Sequence, residues 1–274
     1  MSKPYSHTRA LFTRLFDDAA MFPPGSASAA DAVTQHLEHR STDYADLVGP
    51  LLVHVDRWGE FATAHRQAGS PELDVVIIGS ATAEPVDTSG ITVVGHEVAA
   101  PLRSPEAGSH RPVAVELAPQ GALEQNLTEL ARMRQGGAPV IGKFRTGGTS
   151  LEAFPSQAQL ANLICSTVDH GVPVKFTAGL HHALRHTDET TGFDHHGFLN
   201  IAVAIRAAHL GFDAAEASMI LGIRDSEALV GQVAAWTRDD IATVRSTFTS
   251  FGCCGVRGPI AEAAALGLLS QESA

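Results

Sequence analysis

Lys143 and Lys175 each stand inside a short apolar run: Pro139-Val-Ile-Gly-Lys-Phe-Arg-Thr-Gly-Gly148 and Val172-Pro-Val-Lys-Phe-Thr-Ala-Gly179. Runs of this length and β-branched content read as buried strands. An ammonium is expensive to desolvate, so lysine is scarce at buried positions unless it is paired. Two of them on neighbouring core strands point to catalysis, because a cation beside an amine depresses the amine's pKa and leaves it nucleophilic. The structural alternative pairs Lys143 with Glu116 and lets Lys175 lean its stem along apolar surface to reach water.

Side chains alternate along a strand, so Lys143 shares a face with Arg145 and Lys175 shares one with Thr177. If that face is inward, three cations meet in one cavity. Carboxylates and histidines stand where other strands end: Asp17 and Asp18, His54 and Asp56, His96 and Glu97, and Glu116.

A second group is imidazole. His181, His182, His186, His195 and His196 fall within 16 residues. If the first segment starts a helix, His182 and His186 are i,i+4 neighbours able to share a divalent metal such as zinc. Glu116 or Asp188, or His195 and His196, would complete the shell. The spacing matches no zinc motif, however, and acid–base or substrate contact by His181 or His182 competes with it, as does a solvated loop. The main expectation is therefore no cofactor.

The elements that must position these groups are short strands separated by helical or turn segments. Strands are predicted in Arg14–Phe22, Pro50–Asp56, Leu73–Gly79, Ile91–Val98 and Pro112–Leu117, then in the two lysine runs, and finally in Thr247–Cys254. Helical patterns cover about 29–40, 60–67, 198–210, 214–221, 226–245 and 259–268. Leu123, Leu127 and Leu130 form one stripe, and Leu160, Leu163, Ile164 and Val168 form another that Ser156 is placed to cap. The joins flanking the fourth strand are too short for a full helix. Strands apolar on both faces and spaced by helices indicate a parallel sheet. Eight of them in a chain of this length, with no Gly-x-Gly-x-x-Gly fingerprint, predict an α/β (β/α)8 barrel. The expected organisation is one domain over 1–274 with a helical elaboration at about 181–246, after strand seven.

The motifs resemble those of class I Schiff-base aldolases of the deoxyribose-phosphate aldolase type. Lys143-Phe-Arg-Thr-Gly is similar to that family's strand-six Lys-Thr-Ser-Thr-Gly, and Val174-Lys-Phe-Thr-Ala-Gly-Leu to its strand-seven Val-Lys-Ala-Ser-Gly-Gly-Ile. Phe251-Gly-Cys-Cys-Gly255 resembles the phosphate-cradling end of strand eight, and Phe16-Asp-Asp-Ala-Ala-Met resembles, more loosely, strand one. The matched positions span about 25 residues. The resemblance implies that Lys143 forms the Schiff base, that Lys175 perturbs it, that Glu97 is the strand-four acid, and that Glu116, Glu97 or Asp18 moves protons, directly or through water. It also implies anion binding by Arg145, Thr146, Gly147, Gly148, Thr177, Gly252, Cys253, Cys254 and Gly255. Two departures stand out: Arg145 replaces a serine, and His181-His182 stand where the family has arginine. Deoxyribose phosphate is therefore not the expected substrate. The expected activity is that of a lyase on a small carbonyl compound bearing carboxylate or phosphate. The alternative enzyme class is a divalent-metal-dependent hydrolase or lyase using the His181–His196 loop with Glu116, and a non-catalytic binder of small anions is the reading outside enzymes.

Bulk properties narrow the field. Hydrophobic residues make up 44% and charged residues 18%, as in ordinary globular chains, and net charge is −11 with no basic cluster. Nucleic acid is thus not an expected partner. No apolar stretch reaches spanning length and the N-terminus lacks an apolar signal core, so neither a membrane nor secretion is expected, and the location read is cytoplasmic. Three cysteines make no disulfide framework. A homo-oligomer stays open.

Overall fold

Eight parallel strands close on themselves in the order β1-β10-β7-β6-β5-β4-β3-β2. They are β1 (Phe16–Asp18), β2 (Val48–His54), β3 (Leu73–Ile78), β4 (Ile91–Ala99), β5 (Val113–Glu116), β6 (Val140–Arg145), β7 (Val174–Thr177) and β10 (Phe248–Cys253). A separate antiparallel ribbon pairs β8 (His186–Thr187) with β9 (Asp194–His195). The chain is an α/β (β/α)8 barrel. The computed structural model describes residues 7–81, 89–100, 111–118 and 121–269. Most of both joins flanking β4 lies outside the described residues, and so does the N-terminal segment 1–6.

The first strand is shorter than predicted. Arg14 has φ +49°, a left-handed conformation that no strand accommodates, so pairing begins only at Phe16. Around the barrel lie α1 (Arg9–Phe12), α2 (Ala29–Arg40), α3 (Trp58–Gln67), α4 (Leu123–Gln135), α5 (Gln157–Asp169) and α10 (Arg257–Ala265). The expected stripes are buried at Leu123, Leu127 and Leu130 on α4 and at Leu160, Leu163 and Ile164 on α5, while Val168 at the end of α5 is half-buried. Ser156 caps α5 in a capping box with Gln159, which satisfies two of the amides that open the helix.

After β7 the chain runs through the ribbon and then α6 (Phe198–His209), α7 (Ala214–Leu221), α8 (Ser226–Ala234) and α9 (Arg238–Thr247). The single helix predicted over 226–245 is two. Thr237 accepts from the Asp240 amide and Asp240 reaches back, so a capping box starts a new helix there. The insertion is fixed to the barrel by phenylalanine. Phe198 of α6 lies 5.8 Å from Phe16 and 5.5 Å from Phe251, which are themselves 5.2 Å apart. On the opposite side a smaller apolar cluster seats α2 and α3 on β2 and β3 through Val33, Phe61, Leu51 and Val75. Among the described residues no helix is long and apolar enough to cross a membrane.

Candidate functional site

Register puts the two lysines opposite each other: Lys143 of β6 is the partner of Lys175 of β7, and Glu116 of β5 is the partner of Lys143 on its other side. The outward positions, Phe144 and Phe176, are packed in the core, so the alternating positions Lys143 and Lys175 project into the barrel. Each lysine is only 4% exposed.

Glu97 of β4 bridges them. Lys175 Nζ donates to Glu97 Oε1, and Lys143 Nζ lies 2.8 Å from Glu97 Oε2. Lys143 Nζ is also 2.9 Å from Glu116 Oε2, whose other oxygen accepts from Arg145 Nε at 2.7 Å. On the far side, Lys175 Nζ donates to Asp17 Oδ2 at 2.6 Å, and Ser250 Oγ donates to the same oxygen at 2.7 Å. The side chains form one line of alternating charge: Asp17, Lys175, Glu97, Lys143, Glu116, Arg145. The expected convergence of three cations is therefore matched by three carboxylates. The pairing of Lys143 with Glu116 anticipated by the structural alternative is present within a larger array.

Electrostatics differ along this line. Burial opposes the charge on Lys175, but Asp17 and Glu97 outweigh it and hold the ammonium above its usual pKa. Burial also opposes the Glu97 carboxylate, and Lys175 and Lys143 more than offset it, bringing its pKa down to about 2. Glu116 is lowered as well, its partial burial being outweighed by Lys143 and Arg145. Asp17 goes the other way: burial dominates and raises it despite Lys175. Glu97 Oε2, although beside Lys143, lacks an aligned hydrogen-bond donor among the described residues. It is a buried acceptor with capacity left over.

The strand-one acid is Asp17, not Asp18. Asp18 is buried on the outer side of the wall, 2.9 Å from His36 Nδ1 of α2 and accepting from the Ala20 amide, so it cannot serve the lysines. Asp17 is admitted inward because its neighbour on β2 is Gly49, where any Cβ would collide with the carboxylate.

The expected anion-binding set also divides. Arg145 is exposed at the C-terminal mouth of the barrel. Thr177 and Gly252 are neighbours there, a Cβ on Gly252 falling 3.4 Å from Thr177 Oγ1 and 3.3 Å from Leu52. Thr146 is fully buried and its hydroxyl donates to the Ala178 carbonyl. Gly147 packs on Gly179, where a Cβ would approach to 2.9 Å, so its role is to let two turns touch. Gly148 and Gly255 are exposed and Cys254 is half-buried. Cys253 is turned away from the barrel axis and buried. Its sulfur lies 3.5 Å from His181 Nδ1, and burial pushes the thiol up to about 12. Thr146 is thus corrected from a ligand contact to a structural position, and the Cys253 side chain does not line the mouth.

The histidines gather, but not as expected. No helix forms over 179–186; His186 and His195 instead face each other across the β8–β9 ribbon, their rings 5.0 Å apart. His182 stands edge-on to His186 at 4.1 Å, and its Nδ1 pairs with Glu262 of α10. His181 is lowered by burial and by the neighbouring His195, His182 and His186. His196 leaves the group altogether: it is fully buried, its Nε2 lies 2.7 Å from the Pro155 carbonyl oxygen, and burial takes it down to about 4. Among the described residues no three His, Cys, Asp or Glu side chains are arranged to hold a metal ion. The ribbon is pinned by Asp194, which accepts from Arg185 at 2.8 Å and Arg224 at 2.7 Å. A 710 Å³ cavity lies beside it, lined by His182, His186, Asp188 and Glu262, with neither lysine on its wall.

Sequence reasoning missed three things. Asp17 and Ser250 complete the array, and Arg245 lies under it. A signal was also present in the composition. The chain has three lysines, Lys3, Lys143 and Lys175, among 19 basic residues. Two of the three are inside the barrel, where the abundant arginine would supply charge but never a nucleophilic amine.

Fold and site together define a (β/α)8-barrel protein with a buried lysine–carboxylate array. Compared with models of known protein families the chain matches none, and compared with curated proteins it likewise finds no match.

Proposed function

We propose that the chain is a class I, aldolase-like lyase in which Lys143 forms a Schiff base with a small carbonyl substrate bearing a carboxylate or phosphate. One observation carries this reading: the two interior lysines share Glu97 in a water-poor barrel, in a chain that otherwise meets its need for cations almost entirely with arginine. The resemblance of the strand-six, strand-seven and strand-eight motifs to class I aldolases supports it.

The chemistry follows from the array. Arg145, exposed at the mouth, exchanges Glu116 for the substrate's anionic group. Glu116 then loses the guanidinium that stabilises its charge, becomes more basic, and takes the proton from Lys143 at 2.9 Å. The freed amine adds to the carbonyl carbon, and the resulting hydroxyl takes the proton held by Glu116 and departs as water to leave an iminium. Glu116 takes the proton of the substrate's β-hydroxyl, the carbon–carbon bond breaks to release that fragment as a carbonyl compound, and the iminium accepts the bond's electron pair. The resulting enamine is protonated at carbon, and water hydrolyses the imine to return Lys143. Lys175 keeps its proton throughout, because Asp17 and Glu97 hold it, and supplies a fixed positive charge beside the reacting nitrogen.

The test is reductive trapping. The protein is incubated with a panel of keto acids, aldehyde acids and sugar phosphates, reduced with borohydride and mapped by mass spectrometry. An adduct on Lys143 that disappears in Lys143→Met and is strongly reduced in Arg145→Ala is expected. With only Lys3 and Lys175 as competing side-chain amines, labelling that persists in Lys143→Met rejects the mechanism.

A further inference from the structure

Barrel enzymes of this architecture work from the C-terminal ends of their strands. This barrel is also hollow at the other end. A cavity of 360 Å³ opens among the residues that begin the strands, including Pro50, Pro112, Ala114, Ile141 and Thr249, and reaches inward as far as Asp17, Glu97 and Lys175. Its cationic lining comes from Arg14, just before β1, and Arg245, in the last turn of α9.

Arg245 is the informative residue. Its Nη2 donates to two carbonyls, Thr249 at 2.8 Å and Thr13 at 3.1 Å, while its Nη1 is buried with no hydrogen-bond partner among the described residues. No carboxylate among the described residues lies within ion-pairing distance of it. Burial lowers this guanidinium to about 10, with Asp17 the charge opposing that shift. Arg245 as a whole is half-buried, and a guanidinium withdrawn this far from water without a counter-ion is costly, so proteins pair such charges or use them on ligands.

The two carboxylates on the cavity wall do not meet that need. Asp17 is taken by Lys175 and Ser250, and Glu97 by both lysines. Arg14 spends one nitrogen on Asp74 at 2.8 Å, an exposed pair that competes weakly.

We propose that this N-terminal cavity is a binding site for a small oxyanion, a phosphate or carboxylate, held by the side chains of Arg245 and Arg14 and distinct from the Arg145 mouth at the opposite end of the barrel. The volume is near the lower bound for ligand pockets and suits a metabolite of a few carbons rather than a nucleotide. The apolar walls from Pro50, Val76, Val94 and Ile141 flank the ion and lower the local dielectric, which strengthens its pairing with the guanidinium. The site stands whether or not Lys143 forms a Schiff base.

Titration calorimetry of the full chain with inorganic phosphate and with malonate tests it, and the anion that binds names the chemistry. The expected result is a binding event that weakens at least tenfold in Arg245→Gln and several-fold in Arg14→Gln and that survives in Arg145→Gln, where only a separate event at the mouth is lost. Loss in Arg145→Gln with retention in the other two, or no binding of either anion by wild type, overturns the proposal. Should Arg245→Gln not fold, the exposed Arg14→Gln variant still reads the site. Crystals soaked in selenate then give a direct position: an anomalous peak in the cavity within hydrogen-bonding distance of the Arg245 or Arg14 guanidinium supports the proposal, and a peak only at Arg145 refutes it.

Discussion

Lys143 and Lys175 are register partners on adjacent strands, and the two oxygens of one carboxylate, Glu97, are divided between them. Two ammonium groups held this close in a dry barrel repel each other unless an anion stands between them. The shared carboxylate therefore both permits the pairing and sets its geometry. Glu116 and Asp17 extend the same logic outward, one toward the solvent-facing Arg145 and one toward Ser250.

Removing that carboxylate exposes the repulsion. Glu97→Gln keeps the shape but leaves two buried ammonium groups with one carboxylate each, and it is expected to destabilise the fold by about 3–5 kcal/mol. Urea denaturation followed by far-UV circular dichroism reads the change. A loss below about 1 kcal/mol would mean that the lysines reach water and do not depend on Glu97.

The same group predicts an acid limb. Glu97 moves from an ordinary 4.5 to about 2 on folding, because Lys175 and Lys143 outweigh its burial. A depressed carboxylate stabilises the fold fully above its unfolded pKa and loses that contribution as pH falls toward the folded value. Stability should therefore fall between pH 4.5 and about 2. Asp17, raised by burial, works in the opposite direction over the acid range and blunts the slope. In Glu97→Gln the decline across this window should flatten, and denaturation midpoints measured at pH 5, 4 and 3 decide it.

The insertion's phenylalanine anchor carries a separate expectation. Phe198 is 1% exposed and meets Phe12, Phe16 and Phe251. Phe198→Ala should cost about 3–5 kcal/mol through lost transfer energy and an unfilled cavity. Because α6 is what this ring ties to the barrel, hydrogen exchange in α6 should speed up along with the drop in the urea midpoint. An unchanged midpoint would show that the insertion is not coupled to the barrel through this contact.

Cys253 and Cys254 are adjacent but should react very differently. Burial pushes the Cys253 thiol up to about 12, whereas Cys254 is half-buried beside Gly25. At pH 8 the native Cys253 thiolate fraction is on the order of 1 in 10,000. Iodoacetamide labelling resolved by peptide mass should show Cys253 protected in the native state and freely labelled in urea. Comparable native rates at both positions would contradict the burial of Cys253.

The barrel was legible in the sequence because its strands are apolar runs set between helix-length patterns, and the lysine runs were legible because a charge inside such a run is conspicuous. The helix break at Ala235–Thr237 carried a readable signal too, Thr237 followed three residues later by Asp240, although the apolar periodicity runs past it. Other features had no local signature. Whether His182 and His186 share a helix face or lie on an extended ribbon depends on Asp194 bridging Arg185 and Arg224, a tertiary arrangement. Arg245 reads as an ordinary helix-end cation; its importance comes from the cavity that the strand beginnings form beneath the lysines.

The strand-one parity gives the sharpest separation. All three residues of β1 are buried, so no alternation of polar and apolar marks which aspartate faces in. The structure points Asp17 to Lys175 and Asp18 to His36. Asp17→Asn should remove one of the two anions on Lys175, alter the charge beside Lys143, and cut the yield of borohydride-trapped adduct by tenfold or more. Asp18→Asn should leave trapping within twofold of wild type while lowering stability by about 1–3 kcal/mol through the weakened His36 contact. Measuring both quantities for both variants tests the assignment, because the reverse pattern, with trapping lost in Asp18→Asn and retained in Asp17→Asn, would place the functional carboxylate on the wrong side of the wall.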